Sequence, residues 1–184
     1  MHGIIHLELR KYVEARHGQT AWPKALAQAG IPATLEYVRV GDYPDGELTA
    51  IVAAVSRDTG AATEAILEDF GEFIAPDLMA TYPRLIRPEW RTLDVLVNAE
   101  QTVHKVVRLR NPGARPPLLR CARTTPEEVV ITYASPRRLC ALARGIVSGI
   151  ARHYGERVAI TEPTCMHRGA EACTLVVRTE GPMA

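Results

Sequence analysis

A segment rich in proline and glycine, residues 111–117, divides this chain into two parts with different hydropathy patterns. Its sequence, Asn-Pro-Gly-Ala-Arg-Pro-Pro, cannot continue a helix, because proline lacks the amide donor and restricts the backbone. Apolar residues recur at helical spacing before this segment, whereas short β-compatible runs follow it. The sequence therefore predicts an α+β fold in which helices come first and a sheet follows.

The part before the segment predicts several short helices and one longer helix. The shorter helices are expected at 7–16, 21–29 and 61–74, with a further helical run after a turn at Asp45-Gly46. The longer helix is expected at about 90–109, and its broad apolar stripe includes His104. A histidine on such a stripe either finds a hydrogen-bond partner within the core or binds a ligand, and both readings remain open from this position alone.

The part after the segment predicts a small antiparallel sheet that carries one helix. Strands are expected at 118–122, 129–133, 157–161 and 174–178, and the helix at 136–153. At 184 residues the chain is long enough for one domain and short for two independent ones. We therefore expect a single domain over residues 1–184, with a helical subdomain at about 1–60 and a mixed subdomain at about 61–184.

Composition and charge argue against several classes of function. The formal net charge of +1 gives no electrostatic reason to expect nucleic acid or an acidic membrane as a partner. No signal peptide and no run of about 20 apolar residues is evident, so we expect a cytoplasmic protein without a membrane span. A nucleophile elbow, a glycine-rich phosphate loop and paired catalytic carboxylates are also missing from the sequence, so we expect no enzyme.

The junction between the strand at 129–133 and the following helix brings together two hydroxyl groups and a guanidinium. Tyr133 and Ser135 share one face of a strand, and Arg137 lies close enough to converge with them, which suits a carboxylate or a phosphate. In the alternative reading, Ser135 caps the helix and Pro136 occupies its first position, so that the other two side chains have no joint role.

A Tyr-x-Ser-x-Arg motif that begins 29 residues after an apolar-face histidine (133 minus 104) resembles the H-NOX family, the haem-nitric oxide/oxygen-binding domains related to soluble guanylate cyclase. The resemblance extends over nearly the whole chain. It includes the opening residues Met1-His2-Gly3-Ile4-Ile5, the run Phe70-Gly71-Glu72-Phe73 and the pair Pro116-Pro117.

The resemblance implies a haem b between the two subdomains, with His104 on the iron and Pro117 pressing on the porphyrin. It also implies that Tyr133, Ser135 and Arg137 hold the propionates. A haem would explain both the imidazole in an apolar stripe and the arginine cluster. We expect the distal side to be formed by apolar residues, namely Ile5, Leu9, Ile66, Phe70, Leu142 and Ile146.

Leu142 bears on which gas such a haem would bind. Oxygen-binding members of the family carry a distal tyrosine at this position, and without its hydroxyl we expect nitric oxide and carbon monoxide to be favoured over oxygen. In the family, nitric oxide weakens the iron–histidine bond and the subdomains shift. The chain ends soon after its last strand, so we expect it to signal through a partner, as stand-alone bacterial members do with a histidine kinase or a cyclic-di-GMP enzyme.

Three cysteines and a histidine near the C-terminus suggest a possible zinc site: Cys140, Cys165, His167 and Cys173. Some H-NOX members have a zinc-bound cysteine cluster here that responds to oxidation, but they carry a fourth cysteine where this chain offers Glu162 or His167. Reduced thiols and a disulfide are the alternatives, and Cys121 is expected in the core. The competing function for the whole chain is a non-haem small-ligand-binding or zinc/thiol redox-sensing module.

Overall fold

The computed structural model describes residues 1–111 and 113–183. Pro112, within the segment that divides the two hydropathy patterns, lies outside the described residues, as does Ala184. The described residues form seven α-helices and a four-stranded sheet, which confirms the predicted α+β class. The helices are α1 (Gly3–His17), α2 (Ala21–Gln28), α3 (Asp45–Thr59), α4 (Thr63–Thr81), α5 (Thr92–Asn98), α6 (Lys105–Arg110) and α7 (Cys140–His153).

The sheet is antiparallel throughout, with strand order β1-β2-β4-β3. Its strands are β1 (Leu118–Thr125), β2 (Glu128–Ala134), β3 (Glu156–Thr164) and β4 (Cys173–Pro182). Alternate residues of β2 are buried, as expected for a sheet with one face on the core. They lie opposite buried residues of β4, in the pairs Val129–Val177, Ile131–Leu175 and Tyr133–Cys173.

Helices α4 and α7 pack closely because glycines lie at their crossing. A Cβ atom on Gly145 would lie 1.9 Å from the carbonyl oxygen of Glu68, and one on Gly71 would lie 2.3 Å from the carbonyl oxygen of Leu142. Neither position can accept a side chain without moving a backbone. This contact joins the helical part of the molecule to the helix that packs on the sheet.

Two apolar cores lie on either side of this helix pair. The first is formed by α1 to α4 together with the start of α7, and it includes Leu9, Ile66 and Phe70. The second lies between the sheet, α5 and the rest of α7, and it includes Val129, Leu175 and Val177. Across residues 1–111 and 113–183, none of the helices combines the length and apolar character needed to cross a bilayer.

The structure corrects several predicted boundaries. The expected helix at 90–109 is interrupted by a π-helical turn at Glu100–His104. The expected helix at 136–153 begins only at Cys140, because Arg138 has a positive φ of 52° that a helix cannot accommodate. Asp45-Gly46 forms the first turn of α3 and does not precede it, and α4 extends to Thr81 with Pro76 inside it.

Candidate functional site

A deep cleft opens between the helical part of the molecule and the segment that leads into β1. It contains about 1030 Å³ of empty space when the open solvent at its entrance is included. Its walls are mainly apolar and come from α1, α4, α6, α7 and residues 114–117. The predicted site residues on these walls are His104, Pro117, Tyr133, Ser135, Arg137, Ile5, Leu142 and Ile146.

His104 lies on the cleft wall at the end of the π-helical turn. Its backbone amide donates to the carbonyl oxygen of Ala99, 3.0 Å away and five residues back. Its Nδ1 lies 3.0 Å from Oε2 of Glu100. Burial lowers the pKa of His104, and the hydrogen bond to Glu100 opposes that shift only in part. The imidazole is therefore neutral near pH 7, which is the form that binds a metal ion.

Glu100 has three partners within the described residues. Besides His104, its Oε2 accepts a hydrogen bond from the backbone amide of Leu119 at 3.2 Å, and its Oε1 accepts one from the guanidinium of Arg108. Burial raises the pKa of Glu100, but the bonds from Arg108 and His104 outweigh it and hold the pKa below its usual range. Because the carboxylate is ionised and accepts only, Nδ1 of His104 must be the donor.

Tyr133, Ser135 and Arg137 lie together where β2 ends, and all three line the cleft. Burial raises the pKa of Tyr133 to about 12, so its hydroxyl keeps its proton and can donate. The Ser135 hydroxyl accepts a hydrogen bond from the Arg137 amide at 3.3 Å within a tight turn. Ser135 is not a helix cap, because α7 begins five residues later, and the reading in which these residues only start a helix is therefore wrong.

Arg137 has a carboxylate partner that sequence reasoning missed. Its Nε lies 2.7 Å from Oδ1 of Asp45 in an ion pair, although the N–H is not aligned for a hydrogen bond. Another guanidinium nitrogen donates to the carbonyl oxygen of Arg115. Asp45 lies at the start of α3 and is distant in sequence, so no local pattern indicates the contact.

This arrangement fits a haem. A neutral imidazole on an apolar wall is suited to the iron, and a guanidinium with two hydroxyls in the same cleft is suited to the propionates. The buried Nε2 of His2, which has no hydrogen-bond partner among the described residues, also lines the cleft. Because the lining is mainly apolar, binding of the flat, apolar haem would remove few polar atoms of the protein from water.

Three residues that we expected on the distal side do not line the cleft. Leu9 and Phe70 are fully buried in the first core, and Ile66 is nearly so. Their side chains pack against other helices within the first core and do not reach the cleft. Ile5, Leu142 and Ile146 do reach the cleft, and Pro117 borders it beside Pro116.

A second cluster lies beside the cleft, at the end of the sheet where Tyr133 of β2 pairs with Cys173 of β4. The sulfur of Cys165 is 3.7 Å from the sulfurs of both Cys140 and Cys173. A carboxylate oxygen of Glu162 completes a group whose four ligand atoms lie within 4.8 Å of one another. His167 is not in this group, because its Nε2 lies 2.8 Å from the carbonyl oxygen of Arg138. Cys121 lies apart on β1, half-buried, and burial raises its pKa to about 11.

The cluster has features expected of a metal site. Oε1 of Glu162 is buried and has no hydrogen-bond partner in the described part of the chain, while Oε2 accepts from Arg144 Nη1 at 2.9 Å. Burial is the largest of the causes that raise the pKa of Cys140 and Cys173. Without a metal these thiols therefore keep their protons at neutral pH.

Comparisons with known proteins place the chain in a family. Residues 2–162 match the Haem-NO-binding family. An H-NOX protein from S. oneidensis, in its Fe(II)NO ligation state, is 26% identical, with a TM-score of 0.92 over 98% of this chain and 100% of that one. The H-NOX domain from Shewanella oneidensis in the Fe(II)CO state is 26% identical, with a TM-score of 0.87 over 98% and 99% of the two chains.

An unliganded Fe(II) H-NOX protein from K. algicida shares the fold, with 20% identity and a TM-score of 0.89 over 100% of this chain and 99% of that one. No curated protein matches the chain. The family match covers most of the chain, and the similar structures span its whole architecture. The chain therefore belongs to the Haem-NO-binding family and has the H-NOX fold of haem-based gas sensors.

Proposed function

We propose that this protein is a haem b-based sensor of nitric oxide in which His104 is the proximal ligand. The main support for the proposal is the set of residues that line the cleft. A neutral imidazole lies on its apolar lining, and Tyr133, Ser135 and Arg137 line the same cleft. When bound, the haem would supply a ferrous iron that takes up diatomic gases.

The residues around this iron would each have a distinct task. His104 would hold it from the proximal side through Nε2, because Nδ1 is engaged by Glu100. Arg137 would offer its guanidinium to a propionate, with Tyr133 and Ser135 adding neutral hydroxyl donors. Pro117 borders the same wall as His104, which supports a role for it in pressing on the porphyrin.

Nitric oxide and carbon monoxide are the gases that the distal wall favours. Ile5, Leu142 and Ile146 offer no hydrogen-bond donor in their side chains, and bound oxygen depends more on such a donor than nitric oxide does. A purified ferrous protein that formed a stable oxygen complex in air would contradict this specificity.

The proposed output is a shift of the segment that carries His104 relative to the helical part of the molecule. Release of His104 would free the π-helical turn, and a two-state shift of this kind can be read by a second protein. A histidine kinase or a cyclic-di-GMP enzyme is the proposed partner. The division into a helical subdomain at about 1–60 and a mixed subdomain at about 61–184 remains a proposal.

Haem reconstitution tests the central claim. The wild-type protein should show a Soret band, His104→Ala should lose it, and His104→Gly should recover it when imidazole is added. A wild-type protein that takes up no haem would favour the competing small-ligand or redox-sensing module. Retained nitric oxide responsiveness in His104→Gly without imidazole would contradict the release of His104 as the signal.

We also propose a zinc ion at Cys140, Cys165, Cys173 and Glu162. The unpartnered Oε1 of Glu162 beside three converging sulfurs supports this ligand set over one that includes His167. Elemental analysis of protein purified without chelators should give about one zinc per chain. Glu162→Gln should lower that ratio and His167→Gln should not, and the reverse result would assign the fourth ligand to His167.

A further inference from the structure

We propose that Glu100 is a positioning residue for His104, which fixes the nitrogen that faces the cleft and makes the imidazole a stronger ligand. This inference rests on the proposed function of His104 as a proximal ligand. It concerns a residue outside the Tyr-x-Ser-x-Arg motif and outside the residues that line the cleft.

The π-helical turn places Glu100 and His104 at its two ends. The amide of His104 bonds five residues back instead of four, so this turn holds one more residue than an α-helical turn. Single π-helical turns within α-helices occur often at functional sites. Here the two side chains meet at 3.0 Å through Oε2 and Nδ1. A backbone hydrogen bond with Pro117 also raises the pKa of His104, against the effect of burial.

Glu100 is itself fixed from two further elements. Arg108 on α6 donates to Oε1, and the amide of Leu119 on β1 donates to Oε2 at 3.2 Å. The side chain of Glu100 is only 14% exposed and that of His104 18%, so water competes weakly for the contact. A carboxylate anchored in this way restrains the imidazole ring in one orientation and one tautomer.

A charged acceptor at Nδ1 also changes the ring as a ligand. A hydrogen bond from Nδ1–H to a carboxylate increases the electron density at Nε2, and with it the basicity of the ligand. A neutral acceptor of the same shape would keep the orientation but would lose most of this effect. Glu100 therefore sets the strength of the bond that His104 would form with the iron, and with it how readily that bond would break.

The contact with Leu119 gives the same carboxylate a mechanical role. Leu119 follows Pro117 by two residues, so Glu100 joins the turn that carries His104 to the start of β1. A displacement of His104 would therefore be transmitted to this strand in part through the Glu100 carboxylate. The sheet is thereby linked to the state of the proximal histidine.

The first test uses wild-type protein without haem. The ¹⁵N shifts of the His104 imidazole should show the proton on Nδ1 at neutral pH, and a proton on Nε2 would overturn the proposal. The second test compares Glu100→Gln with Arg108→Gln in the ferrous haem protein. Glu100→Gln should move the iron–histidine stretching band to lower frequency and the reduction potential to more positive values.

Arg108→Gln is the matched control, because it removes the ion pair and keeps the contact with His104. Equal spectral shifts in the two variants would show that Glu100 acts only through its pairing with Arg108. A Soret band with unchanged stretching frequency in Glu100→Gln would overturn this inference and leave the proposed function intact. Absence of the Soret band from wild-type protein would overturn the proposed function itself.

A third test replaces the side chain of His104 with a free ligand. In His104→Gly, imidazole can donate a hydrogen bond to Glu100, whereas 1-methylimidazole cannot. Imidazole should bind about 10-fold more tightly than 1-methylimidazole, as expected for loss of an outer-shell partner. Addition of Glu100→Ala should abolish that preference, and equal affinities in His104→Gly alone would contradict the proposal.

Discussion

Oδ1 of Asp45 lies 2.7 Å from Nε of Arg137, which pairs a guanidinium of the cleft lining with a carboxylate from α3. The same oxygen lies 2.8 Å from the N-terminal ammonium group of Met1. Burial raises the pKa of Asp45, but its ion pairs with the ammonium group and Arg137 outweigh burial and lower the pKa overall. Asp45 therefore joins the N-terminus to the proposed propionate site.

Asp45→Asn should make the haem-free protein less stable at pH 7. A carboxyl group with a lowered pKa in the folded state stabilises the fold above its unfolded pKa, and that contribution is lost as the pH falls through the folded pKa. Since the side chain is 47% exposed, we expect the free energy of unfolding to fall by at most about 1 kcal/mol.

Urea denaturation at a series of pH values measures this effect. The difference between wild type and Asp45→Asn should shrink below the ordinary pKa of 3.8. Asp42→Asn is the control, because Asp42 contacts the ammonium group but not Arg137 in the described residues. A pH-independent difference would show that the loss comes from something other than the carboxylate charge.

Arg137→Lys should release haem faster than wild type. Lysine keeps the positive charge but loses the planar fork that can bind a carboxylate through two parallel hydrogen bonds. Loss of a charge-assisted hydrogen bond corresponds to about 2 kcal/mol, or roughly 30-fold in affinity. Transfer of haem to an excess of apomyoglobin measures the rate. Arg138→Lys, at the exposed neighbouring position, should behave like wild type, and equal rates in all three proteins would argue against the assigned clamp.

Leu142→Tyr should slow the dissociation of oxygen from the ferrous haem. Leu142 lines the cleft, and a tyrosine there would add a hydroxyl donor to a wall where the side chains of Ile5 and Ile146 supply none. A neutral hydrogen bond contributes about 1 kcal/mol, which corresponds to roughly 5-fold. Flash photolysis or stopped-flow mixing measures the rate, and Leu142→Phe controls for size. If the two variants released oxygen equally fast, the hydroxyl would have no effect at this position.

Gly145→Ala should destabilise the protein by about 1–3 kcal/mol, because its new methyl group would overlap the backbone of α4. The added Cβ would lie 1.9 Å from the carbonyl oxygen of Glu68. Gly46→Ala, in α3 where a Cβ meets nothing within 4 Å, should be neutral or stabilising by about 0.5–1 kcal/mol. Thermal unfolding of both variants measures this difference in stability. Similar melting temperatures for Gly145→Ala and Gly46→Ala would show that α4 and α7 can move apart without loss of stability.

Much of the fold could be predicted from local patterns. The strands lie where they were expected, within a few residues, because β-branched runs bounded by turn residues favour β-strands. The predicted helix at 136–153 was wrong at its start, because the helix begins at Cys140. Ser135-Pro136 has the composition of a helix start, but the chain turns through Arg138 first, and Tyr133 and Ser135 line the cleft before that turn.

The sequence by itself determined that the chain has an α+β fold, and it drew attention to His104, Tyr133, Ser135 and Arg137. These assignments depend on helical periodicity and on short motifs, which are properties of neighbouring residues. Only the tertiary structure decided that Ile5 faces the cleft whereas Leu9 faces the core, since both are apolar and lie on the same helix.

The tertiary structure also decided which residues hold the assigned ones in place. Glu100 reaches His104 because a π-helical turn changes the local geometry, and Asp45 reaches Arg137 across 92 positions of sequence (137 minus 45). Glu162 replaces His167 in the cysteine cluster because the pairing of β3 with β4 sets where each side chain lies. Contacts of this kind depend on the packing of whole elements against one another, which no local pattern records.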